Sequence, residues 1–197
     1  MNQIATFFDT MAERWDAIST HNPDKIRTIL QLIPLHEGAA ILDVGCGTGI
    51  LESYLLSYRP KRIVAVDIAP QMIQKAKDKY AQVADMLDFR CLDVMDLQEE
   101  TFDYILIYSA YPHFMEPSKL IRHLYHLLNP DGRLIICHSE SKEKINSHHA
   151  RHAPGALSNH LPPAREVANL MEPYFQIEAV TDTEAIYLVS GKRRCKN

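Results

Sequence analysis

No stretch of this 197-residue chain approaches the roughly 18 consecutive apolar residues that a membrane-spanning helix requires. The first residues, which include Asp9 and Glu13, also lack the apolar region of a signal peptide, so a soluble, cytoplasmic chain with no membrane contact is expected. Basic charge is in deficit. Lys and Arg number 21 against 25 Asp and Glu, giving a net charge of −4, which excludes a general cationic surface for a nucleic-acid backbone. The one basic run, Lys192 to Lys196, reads as a solvated end. Cysteines number four and none forms a C-x-x-C pair, which argues against a thiolate zinc framework. Cys91 and Cys137, inside apolar runs, read as buried reduced thiols. Glycine is scarce too: seven in all, yet three fall at 45, 47 and 49.

Those three glycines lie in Ile41-Leu-Asp-Val-Gly-Cys-Gly-Thr-Gly49, an apolar run entering a turn that Ile50 and Leu51 continue as a helix. Glycine there permits positive φ and close approach of a bound small molecule. The spacing is G-x-G-x-G, whereas dinucleotide sites usually have G-x-G-x-x-G beneath a pyrophosphate. Asp43 would repel a pyrophosphate and suits a ligand bearing an ammonium group. Asp67 closes a second apolar run, Arg62-Ile-Val-Ala-Val-Asp67, where a carboxylate can accept hydrogen bonds from a ribose diol.

Elsewhere the periodicity alternates. Strands are expected near 40–45, 62–67, 87–92, 102–108 and 132–137, with helices near 49–58, 70–82 and 117–128 between them, which implies a parallel sheet with crossover helices. Pro70 suits the first position of its helix. Runs at 175–180 and 185–190 are close enough for an antiparallel pair. Phe7, Phe8, Met11 and Trp15, then Ile26, Leu30 and Ile33, fall at helical spacing before the first strand. One domain over 1–197 is expected, with residues 1–36 as a helical cap.

The glycine motif, the acidic residues Asp67 and Asp93 after successive strands, and the Asn129-Pro-Asp-Gly132 turn resemble the class I S-adenosylmethionine-dependent methyltransferases, over about residues 37 to 190. The resemblance implies an α/β, Rossmann-like, doubly wound seven-stranded sheet in the order 3-2-1-4-5-7-6 with strand seven antiparallel. It implies S-adenosylmethionine as cofactor, the methionine end at Gly45, Cys46, Gly47 and Gly49 with Asp43 holding its ammonium, the ribose at Asp67, the adenine at Asp93 and Val94, and apolar cover from Ile68 and Met72. Tyr108 joins this set as an aromatic at a strand end. The acceptor is expected to be a small molecule, with O-methylation favoured. Two other readings stay open: a nucleic-acid methyltransferase, and a non-catalytic cofactor-binding regulatory protein. Against the first, amino-directed nucleic-acid enzymes carry N/D-P-P-Y/F after strand four, where this chain has Ser109-Ala-Tyr-Pro-His113.

Eight of the ten histidines lie between His113 and His160. His113 and His138 follow strands four and five and are candidate bases, and Tyr111 is a candidate lining the acceptor pocket. The long polar connection 139–162 is expected to act as an active-site lid, with a short helix near 141–150. Its histidines read as solvated surface, as bases, or as ligands, with His138 and His149 joined by His160, of a divalent metal. Metal-assisted O-methyltransferases of the class use mainly carboxylates and amides, so a histidine set departs from the family pattern.

Overall fold

In the computed structural model, residues 2–19, 21–152 and 157–195 are described. The sheet has seven strands: β1 Ala40–Val44, β2 Arg62–Asp67, β3 Leu87–Cys91, β4 Phe102–Tyr108, β5 Leu128–His138, β6 Phe175–Asp182 and β7 Tyr187–Arg193. Their order is β3-β2-β1-β4-β5-β7-β6, with β1 to β5 parallel and β7 antiparallel to both its neighbours. This is the expected order. The reversal of strand order between β1→β3 and β4 opens a crevice at the carboxyl ends of β1 and β4, where ligands of open α/β sheets bind.

Alternation along each strand builds two cores. Leu42, Val44, Val64, Val66, Ile105 and Ile107 face one side, against Leu120, Ile121 and Leu124 of α6 (Pro117–His126) and Val167 of α8 (Ala164–Met171). Ile41, Ile63, Ala65, Tyr104 and Leu106 face the other. There they meet Ile26, Ile29 and Leu30 of α3 (Pro23–Gln31), Leu55 of α4 (Glu52–Leu56) and Ile73 and Ala76 of α5 (Pro70–Lys79). Strands buried on both faces read as unbroken apolar runs, which is why β1, β2 and β4 were legible.

Four expectations shift. The helix after the glycines begins at Glu52, because the turn extends through residue 51, and α5 stops at Lys79 and gives way to 3₁₀ turns over Ala81–Met86. Cys91 is exposed, since β3 is an edge strand, while Cys137 is buried as expected. The basic run is not simply solvated: Lys192 and Arg193 belong to β7, Lys192 pairs with Asp131 at 2.8 Å, and Arg193 stacks 4.6 Å from the Tyr125 ring. Lys196 lies outside the described residues.

The N-terminal segment forms α1 (Gln3–Met11), a 3₁₀ turn (Ala12–Arg14) and α2 (Trp15–Ile18) before α3. Its acids meet α5 turn by turn. Asp9 accepts from Gln71 N at 2.8 Å, Glu13 pairs with Lys75 at 2.7 Å and Asp16 with Lys79 at 2.7 Å. Among the described residues no helix is long and apolar enough to cross a membrane.

Candidate functional site

The turn after β1 is held by its backbone. Gly45, Gly47 and Gly49 all have positive φ, at 72°, 55° and 81°. At Gly45 the conformation is compounded by crowding, since a Cβ would stand 2.6 Å from that of Ala110 after β4. Gly49 lies against Tyr80, whose hydroxyl donates to its carbonyl at 2.8 Å, and a Cβ there would meet the Tyr80 ring at 2.9 Å. Gly45 N and Cys46 N both donate to Val66 O, at 2.8 and 3.1 Å, which ties the turn to β2.

Asp67 organises the same corner from β2. Its two carboxylate oxygens accept from Gly47 N and Ala69 N, each at 2.9 Å. Burial raises its pKa, and the amides of Ala69, Gly47 and Ile68 pull the other way. Each oxygen retains a second acceptor site, which suits a vicinal diol. Asp93 caps the 3₁₀ turn Val94–Asp96 by accepting from Met95 N at 3.0 Å.

A single cavity of about 1400 Å³ opens over these residues. Gly45, Cys46, Gly47, Asp67, Ile68 and Met72 line one end, with Asp93, Val94 and Tyr108 alongside. Gly49 and Asp43 do not reach it, because the one faces Tyr80 and the other is buried under the turn. Phe7, Phe8, Met11 and Trp15 of the N-terminal helices form the roof, and Lys144, Ile145, His148 and His149 of α7 (Lys142–His152) form the far wall. Asn146 fastens α7 to the following segment: its side chain accepts from Leu161 N at 2.7 Å and donates to Leu161 O at 3.0 Å. Residues 153–156 of the expected lid lie outside the described residues.

The histidines separate into distinct environments. His113 lines the cavity, edge-on to Phe8 with ring centroids 4.9 Å apart and 5.0 Å from the His149 ring. Its Nδ1 lies 2.9 Å from Leu157 O, which can only accept, so the proton is on Nδ1 and the lone pair on Nε2. Burial lowers its pKa, so the neutral form dominates. His138, by contrast, is 1% exposed and sits behind the wall, its ring edge-on to Tyr187. Neither ring nitrogen has a hydrogen-bond partner among the described residues, and burial, then His149 and His113, push its pKa down to about 3. It does not line the cavity and is too weakly basic for the role expected of it. Tyr111 is likewise buried in the core, its hydroxyl unpartnered among the described residues and pushed up to about 12, and it does not line the cavity.

The expected metal set does not assemble. His160 is exposed, with Nδ1 3.3 Å from Asn146 Nδ2, and among the described residues no three His, Cys, Asp or Glu side chains converge as a metal site. His149 remains at the cavity wall, its pKa lowered to about 4 by burial and then by its neighbours His113 and His148.

Two features escaped sequence reasoning. His21 contributes a hydrogen-bonded chain along the cavity: Ser19 Oγ to His21 Nε2 at 2.7 Å, His21 Nδ1 to Tyr108 Oη at 2.7 Å, and Tyr108 Oη to Ser139 Oγ at 2.8 Å. It joins the cap to the ends of β4 and β5, a long-range pairing with no local signature. Glu52 is fully buried beside Asp43. Here a signal existed, since Glu52 falls between Leu51 and Leu55 on the inward face of a short amphipathic helix.

Residues 42–136 match a protein-family model described as a methyltransferase domain. Among curated relatives, a malonyl-[acyl-carrier protein] O-methyltransferase of Acetivibrio thermocellus is 28% identical over 84% of this chain and 60% of its own. A ubiquinone biosynthesis O-methyltransferase of Xylella fastidiosa is 34% identical over 58% of this chain and 47% of its own. The chain therefore spans about half to three-fifths of the length of these relatives. Among solved structures, the N-methyltransferase NodS of Bradyrhizobium japonicum in complex with S-adenosyl-L-homocysteine superposes with a TM-score of 0.72, covering 98% of this chain and 99% of that one at 16% identity, a likeness of fold.

Proposed function

We propose that this chain is a class I S-adenosylmethionine-dependent methyltransferase that moves the sulfonium methyl of that cofactor to an oxygen of a small-molecule acceptor. The observation that carries the reading is the continuity of the site: one cavity runs from the glycine turn and Asp67 to His113. At about 1400 Å³ it exceeds the roughly 300–1,000 Å³ of a typical single-ligand pocket, leaving room for cofactor and acceptor together.

In this reading Gly45, Cys46 and Gly47 cradle the amino acid end and Asp67 accepts from the ribose hydroxyls. Asp93 and Val94 frame the adenine under Ile68 and Met72. Tyr108, which lines the cavity between the glycine turn and His113, would help to hold the cofactor there. Gly49 shapes the turn from below and Asp43 acts beneath it. Transfer is an in-line displacement: the acceptor oxygen forms a bond to the methyl carbon, the carbon–sulfur bond breaks, and its electron pair neutralises the sulfonium. Alignment supplies most of what the reaction needs. His113 Nε2 takes the proton of the acceptor hydroxyl, contributing about 10²–10⁴-fold. The N-terminal helices and α7 act as cap and lid that exclude water. Oxygen is favoured as acceptor atom because both curated relatives are O-methyltransferases by name.

Calorimetric titration with S-adenosylhomocysteine tests the first half, with one site per chain expected. Absence of binding would end the reading. Transfer of labelled methyl across a panel of phenols, carboxylic acids, thiols and amines tests the second half. Cofactor binding with no transfer to any of them would favour the non-catalytic alternative.

A further inference from the structure

Alternation along β1 places Asp43 on the same face as Ile41, under α4. The first residue of α4, Glu52, points back at it. Both carboxyl groups are sealed from solvent, Asp43 at 2% exposure and Glu52 at 0%. Glu52 Oε2 lies against the underside of the glycine turn, 3.3 Å from where a Gly49 Cβ would stand. Neither Glu52 oxygen finds a donor among the described residues.

Among the described residues no cation is in contact with the Glu52 oxygens. Asp67, at the end of β2, is a third acid acting on Asp43. Cys46 in the turn and Cys137 on β5 are thiols whose burial keeps them protonated, and Tyr80 of the segment after α5 is a phenol raised in the same way. Lys79 acts on Glu52 without touching it, and its ammonium is engaged 2.7 Å from Asp16. Two buried carboxyl groups facing each other without a donor between them cannot both stay ionised. Burial raises both, and repulsion by Glu52 adds to the rise in Asp43, while a backbone amide, Asp43 and Lys79 draw Glu52 part of the way back.

We propose that Asp43 and Glu52 share one proton while the pocket is empty and release it to solvent when the ammonium group of the cofactor's amino acid end settles on the turn above, with Glu52 as a positioning residue for that group. This rests on the reading of the turn as the cofactor's seat. An ammonium group a few ångströms away favours the doubly ionised pair, and the pair in turn favours the ammonium, because linkage is reciprocal. An apolar partner at position 52 would leave Asp43 charged or neutral without that coupling.

The experiment is titration of the full chain with S-adenosylhomocysteine between pH 5.5 and 7.5, in buffers of low and high ionisation enthalpy. The expected result is a buffer-dependent heat corresponding to release of a substantial fraction of one proton per site, and an affinity that rises by up to tenfold per pH unit across this range. In Glu52→Gln, which holds its hydrogens permanently, the release and the pH slope diminish and affinity at pH 7.5 falls. Difference infrared spectra of the wild-type chain read the carboxyl directly: a protonated-carboxyl band is lost on ligand addition, and this readout does not depend on how the variant folds. Binding with no buffer dependence and no lost band, or release that persists undiminished in a folded Glu52→Gln, would overturn the proposal. No binding at all would instead remove the cofactor reading on which it stands.

Discussion

A single carbonyl oxygen decides what His113 can do. Leu157 O fixes the proton on Nδ1, burial keeps the ring neutral, and Nε2 is left with a lone pair at the cavity edge. Replacing the ring by an amide should therefore separate binding from chemistry. In His113→Gln, kcat for methyl transfer should fall by about 10²–10⁴-fold. The dissociation constant for S-adenosylhomocysteine should stay within about twofold of wild type, since His113 is assigned to the acceptor and not the cofactor. Equal losses in both would reassign His113 to cofactor binding. Asp67 should behave in the opposite sense. Asp67→Ala would remove the charge-assisted bonds proposed to the ribose, and it removes the acceptor for Gly47 N and Ala69 N. Cofactor affinity should weaken by about 1.5–3 kcal/mol, and calorimetry giving wild-type affinity would strip Asp67 of that role.

At the scale of elements, the glycine turn and the cap differ in what holds them. The turn is bonded through backbone amides to β2 and Asp67 and is part of the sheet. The cap meets α5 through side chains, and the Lys75–Glu13 pair, with the Glu13 side chain 80% exposed, contributes little after solvent screening. Asp16 is the better anchor, since it accepts from Thr48 as well as pairing with Lys79. Asp16→Ala should loosen the cap by about 0.5–2 kcal/mol. The measurement is amide exchange: faster exchange over residues 3–18, with protection of β1 and β4 unchanged. Uniform loss across both would show the cap to be one cooperative unit with the sheet. The element order, the glycine turn and the acids at 67 and 93 were legible because each is a local pattern of period or spacing. What the sequence left open came from tertiary neighbours. Tyr111 looks like a pocket residue until the core around it is seen, and His21 acquires its partner across 87 positions of chain.

Across the whole molecule, the buried titratable groups pull stability in opposite directions with pH. Asp43 and Glu52 hold protons more tightly folded than unfolded, so their contribution is present in acid and lost as pH rises through the folded value of Glu52, about 7. His138 is the reverse. Its folded value of about 3 lies below the ordinary 6.5, so the native state is at no disadvantage above pH 6.5 and loses ground as pH falls toward 3, where the unfolded chain binds the proton more readily. The two trends offset between about pH 4.5 and 6.5, so the wild-type profile there should be flatter than either group alone would make it. His138→Phe isolates one of them. The ring volume is nearly kept, two buried nitrogens without a partner among the described residues disappear, and the variant should be at least as stable as wild type at pH 7. Its advantage should then grow by about 1 kcal/mol for each pH unit below 6. Urea unfolding at pH 7, 6 and 5 reads the difference directly. If the two proteins lose stability in parallel across that range, His138 is not held neutral in the native state, and a hydrogen-bond acceptor must reach its ring in solution.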